Sequence, residues 1–81
     1  MIDVKTAIKA ATDYLRSLYE IAGGGLRLEE VEYEENPPHW IITLSFLEFP
    51  NERIYKQLSV DANDGTVKWM RIRQLQQPSG Y

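Results

Sequence analysis

The sequence has no cysteine, so disulfides, thiolate nucleophiles and cysteine-ligated zinc are all excluded. It has one histidine, His39, with no ligand or catalytic partner at a useful local spacing, and it is read as a solvent-facing turn residue. There is no apolar run near the ~20 residues a membrane span needs. No apolar leader core follows the N-terminus, where Asp3 and Lys5 sit in a helical pattern, and the expectation is a cytoplasmic protein. Excess positive charge is lacking too. Nine bases stand against 12 acids, a balance unlike that of a dedicated nucleic-acid binder. Neither a Walker loop, a dinucleotide fingerprint nor a nucleophile elbow is present, so no cofactor and no catalytic residue are expected. At 81 residues there is room for one domain, and a catalytic pocket of several hundred cubic ångströms is hard to hollow from so small a core.

What the chain does have is periodicity. Val4, Ala7, Ile8, Ala11, Leu15, Leu18 and Ala22 recur at helical spacing and predict a helix over 4–22, with Asp3 as its N-cap. Gly23-Gly24-Gly25 is expected to stop it. Strands are predicted over 26–35, with a bulge at Glu29-Glu30, then over 40–49, 54–61 and 66–73. Asn36-Pro37-Pro38-His39, Pro50-Asn51-Glu52 and Ala62-Asn63-Asp64-Gly65 form the turns. The Asp-Gly pair marks a tight hairpin with positive φ. Residues 74–81 read as a flexible tail, leaving 1–73 as the folded unit. The fold class is therefore α+β, one N-terminal helix packed on a four-stranded antiparallel β-meander. The phase of the last strand is open: either Val67 and Trp69 or Met70 and Ile72 face the helix.

Charge is unevenly distributed. Residues 1–52 carry four bases and ten acids, whereas residues 53–81 carry five bases and two acids. Glu29, Glu30, Glu32, Glu34 and Glu35 crowd one strand, which reads as a solvated edge whose charges discourage edge pairing. Asp61, Asn63 and Asp64 lack the glycine and glutamate spacing of a calcium loop.

Three stretches, VKTAIKAATDYL, LRLEEVEYEENPPHWIITLSF and YKQLSVDANDGTVKWMRI, carry a resemblance to the PepSY family of small domains. The third is the most typical, a strand ending Val60-Asp61-Ala62, a turn with Gly65 and a strand opening at Val67. The resemblance implies a helix on an antiparallel sheet and a non-catalytic, often inhibitory or regulatory, binding role. Members are typically exported or sit beside a peptidase or membrane domain.

The expected function is thus a protein-binding module that uses the sheet face away from the helix. Tyr55, Trp69, Arg71 and Arg73 are its expected contacts, since aromatics and arginine anchor such surfaces. The partner is another protein or a second copy, the basic last strand of one meeting the acidic strand of the other. One alternative is single-stranded nucleic acid held by Lys68, Trp69, Arg71 and Arg73. Another is a small-ligand pocket between helix and sheet, lined by Tyr14, Trp40 and Tyr33.

Overall fold

The structure is a computed structural model that describes residues 1–21, 25–48 and 52–73. One helix, α1 (Val4–Leu18), precedes four strands: β1 (Arg27–Glu34), β2 (His39–Glu48), β3 (Glu52–Asp61) and β4 (Val67–Ile72). They form one sheet in the order β1-β2-β3-β4, each strand antiparallel to its neighbour in sequence. The α+β meander is as the periodicity predicts. The expected tail, Gly23-Gly24 and the Pro50-Asn51 turn lie outside the described residues.

The helix starts where the sequence places it. The Asp3 carboxylate accepts the Thr6 amide at 2.9 Å, and this bond holds the carboxyl below the usual carboxylate range. Ala7, Ala11 and Leu15, at four-residue spacing, are completely buried. Two alanines on that stripe let the helix lie close over β2, β3 and β4. Ile42, Leu44 and Phe46 of β2 and Leu58 and Val60 of β3 meet them. Each large side chain buried there contributes about 1.5–3 kcal/mol.

The helix ends earlier than predicted. Tyr19 is extended (φ −130°, ψ 145°), and its amide still donates to the Leu15 carbonyl at 3.0 Å. Its ring then packs on Phe46, with centroids 5.1 Å apart, and the Lys56 ammonium lies 5.4 Å from its centroid. Aromatic contact with the sheet thus replaces a last helical turn. Leu18, in phase with the stripe, is 52% exposed, and the stop comes before the glycine run.

Just before the helix, the Ile2 amide donates to the Ala62 carbonyl at 2.7 Å, and the Ala62 amide to that of Pro38 at 3.0 Å. These two bonds tie the start of the helix to the β3–β4 turn and the β1–β2 turn. In the β3–β4 turn Gly65 has φ 79° while Asp64 does not share the left-handed region, so the positive φ falls on the glycine alone. Asp61 Oδ1 accepts from the amides of Asn63 and Asp64, and Asp64 Oδ1 from that of Thr66. The Thr66 hydroxyl and amide hold the Asp64 carboxyl below its ordinary range. Its acids are therefore turn-formers, and no group of three potential metal ligands occurs among the described residues. No described helix is long and apolar enough to cross a membrane.

Candidate protein interface on the open sheet face

Strand alternation sends one set of side chains to the helix and the other to a face that no second layer covers among the described residues. The pairing registers lay that open face out in rows. One row is Glu30, Thr43, Gln57 and Arg71; the next is Glu32, Ile41, Ser59 and Trp69. A third runs Arg27, Ser45 and Tyr55, and Arg73 joins it through its amide, which donates to the Tyr55 carbonyl at 2.9 Å. All four residues expected to contact a partner, Tyr55, Trp69, Arg71 and Arg73, therefore lie on one face.

The bulge in β4 decides which side Trp69 takes. Ser59 pairs with Trp69 but Val60 pairs with Val67, so Lys68 is an extra residue. Val67 and Met70 both pack on the core, while Trp69, 37% exposed, turns to the open face. Neither single phase considered for this strand holds along its length, because the slip at Lys68 joins the first half of one to the second half of the other. The bulge in β1 lies at Glu29, as the sequence predicts.

Ile41, Thr43, Ser45 and Ser59 are buried although no element among the described residues lies above this face. Long side chains from neighbouring positions reach Thr43 and Ser45. Arg73 Nη1 is paired with Glu30 Oε1 and lies 3.5 Å from the Thr43 hydroxyl. Gln57 donates to Thr43 at 3.4 Å and accepts from Arg71 Nε at 3.1 Å. Nearby, the Ser45 hydroxyl donates to Glu29 at 2.6 Å and accepts from Arg53 Nη1 at 2.7 Å. The Ser45 bond is the main reason the Glu29 carboxyl sits below the usual glutamate range. Every buried side-chain polar atom among the described residues is hydrogen-bonded.

Arg71 lies over the Trp69 ring, with its guanidinium carbon 4.5 Å from the centroid. Together they form an aromatic–arginine pair at the β4 side of the face. Beside it is a shallow groove of about 290 Å³ lined by Pro37, Pro38, His39, Ser59, Lys68 and Trp69. It is smaller than typical small-molecule sites. His39 opens β2 instead of facing solvent, its side chain only 16% exposed. Its Nδ1 donates to the Pro37 carbonyl at 2.7 Å, and its Nε2 lies 3.7 Å from Glu34.

Tyr33 and Trp40 pack edge to face at 5.0 Å, Trp40 Nε1 donates to the Ile2 carbonyl at 3.4 Å, and Tyr14 is exposed on the helix. Sequence reasoning missed Arg53 and Glu29 as parts of the open face. Arg53 is in phase with Tyr55 and Gln57, so period-two alternation contains it. Glu29 sits in the bulge, where alternation gives no side. No family model, no curated protein and no solved structure matches this chain.

Proposed function

We propose that this chain is a small non-enzymatic binding module, PepSY-like in kind, that docks a protein partner on its open sheet face. It regulates that partner by occupancy, and it acts in the cytoplasm. The observation that carries the reading is the juxtaposition of Trp69, Arg71, Arg73 and Tyr55 on a face already sealed and hydrogen-bonded without a partner. Such a face is stable alone and still offers an aromatic–arginine anchor, the combination found at interface hot spots. Extended nucleic acid suits it less well. The glutamates of β1 share the face and oppose a polyanion.

The test is affinity capture from a lysate of the source cell, followed by calorimetric titration of the captured protein against wild type and the Trp69→Ala/Arg71→Ala double variant. Loss of binding with an unchanged thermal midpoint supports the reading. Unfolding of the double variant, or undiminished binding, removes these residues from the interface.

A further inference from the structure

We infer that Asp64 is a site of spontaneous isomerisation to isoaspartate, and that the hydrogen bonds of the β3–β4 turn hold the reaction back while the turn stays closed.

The chemistry starts from the sequence. Asp64-Gly65 is the only point in the chain where an aspartate or asparagine precedes glycine. In the reaction the Gly65 amide nitrogen bonds to Asp64 Cγ. The Cγ–OH bond breaks, the hydroxyl leaves as water with the amide proton, and a five-membered cyclic imide remains. Water then opens the ring. Attack at Cγ returns aspartate, whereas attack at the backbone carbonyl carbon of Asp64 leaves the chain running through Cγ, as isoaspartate. The water released in the first step balances the water consumed in the second, so no other reactant is needed. Gly65 has no Cβ to hinder approach to its nitrogen, and the Asp64 side chain is exposed to solvent.

The closed turn restrains both reacting groups. The Gly65 amide must give up its proton, and that proton is held by the Asp61 carbonyl, whose oxygen is 2.8 Å from the nitrogen. The carboxyl must be neutral for its oxygen to leave as water. The Thr66 hydroxyl, the Thr66 amide at 2.9 Å and the nearby Lys68 charge hold it below the ordinary aspartate range and keep it ionised. Three further bonds close the same turn. The Asp61 amide donates to the Thr66 carbonyl at 2.8 Å, and the Asn63 and Asp64 amides donate to Asp61 Oδ1 at 2.7 and 3.3 Å. The reactive arrangement therefore belongs to a locally opened turn, a state reached without global unfolding. Conversion of Asp64 then records the time the turn has spent open. The product inserts one extra backbone carbon between Asn63 and Gly65, so the converted turn does not reclose in its original form.

Incubation of the full chain at about pH 5, where an unrestrained aspartate keeps a small neutral fraction, tests this. One sample is folded in buffer, the other unfolded in guanidinium chloride, and peptide mapping by mass spectrometry locates and counts isoaspartate. The folded chain should convert at least about tenfold more slowly than the unfolded one. Folded Thr66→Val, which loses the hydroxyl and keeps the amide, should convert several-fold faster than folded wild type. Folded Thr66→Ser, which keeps the hydroxyl, should match wild type. All three should convert alike in denaturant, and circular dichroism confirms which samples are folded. Equal rates for folded and unfolded wild type overturn the protection, whatever the variants do. Unfolded chain that gains no isoaspartate at residue 64 overturns the site. A folded Thr66→Val that converts no faster than wild type overturns the part assigned to the Thr66 hydroxyl.

Discussion

Arg73 and Glu30, 43 positions apart, form an ion pair across the open face, and the guanidinium passes over the Thr43 hydroxyl on the way. The pair links the two edges of the sheet above its inner strands. Both side chains remain about two-fifths exposed, so solvent screens their attraction.

Arg73→Ala should therefore destabilise by no more than about 1 kcal/mol. Its clearer effect should be structural, with Thr43 opened to solvent. Urea denaturation checks the first, and the second appears as faster amide exchange at Thr43. A loss of several kcal/mol would mean that the bridge is a main support of the sheet.

Stability should depend on acid through Glu29. Its folded carboxyl is held low mainly by the Ser45 hydroxyl, so the unfolded chain takes up a proton first as pH falls. The contribution is complete at neutral pH and above the ordinary glutamate range, and it is lost as pH falls through that range to the lowered value. Ser45→Ala should flatten this part of the profile, while the similarly lowered Asp3 and Asp64 keep theirs. Thermal midpoints from pH 7 down to about 3, wild type against Ser45→Ala, make the comparison. Parallel profiles would remove Ser45 as the cause.

Leu58 and Trp69 should behave oppositely. Leu58 is fully buried under the helix, and Leu58→Ala should cost about 2–5 kcal/mol. Trp69 lies on the uncovered face, and Trp69→Ala should cost clearly less. Chemical denaturation of the two variants ranks them, and equal losses would place Trp69 in the core.

Gly65→Ala isolates backbone strain from crowding. A Cβ at Gly65 would meet only Ile2 Cδ1, at 3.7 Å, an ordinary contact. The φ of 79° is what an alanine resists, so the substitution should destabilise by about 1–2 kcal/mol. Gly65→Asn, which tolerates the left-handed region better, should recover part of the loss. Equal stability of the three proteins, measured by thermal melting, would mean that the turn relaxes.

Period-two and helical spacing were enough to place the helix, four strands, the first bulge and the face that bears Tyr55, but not the side taken by Trp69, Arg71 and Arg73. Spacing is local, and what it could not place depended on contacts across the sheet. Tyr19 continues a helical pattern but leaves it for Phe46, a residue 27 positions away. The slip at Lys68 is invisible because Val67, Trp69, Met70 and Ile72 are all apolar and fit either phase. The burial of Thr43 and Ser45 arises from side chains on other strands, and no composition of β2 reports it.

The sheet order has a kinetic consequence. Every strand pairs with the one before it, so no strand pairing has to close a long loop. Three successive hairpins can form on the microsecond scale typical of such units. Seating the helix is then the non-local step. The Ile2–Ala62 hydrogen bond, which joins opposite ends of the described chain, is a natural reporter of when that docking is complete.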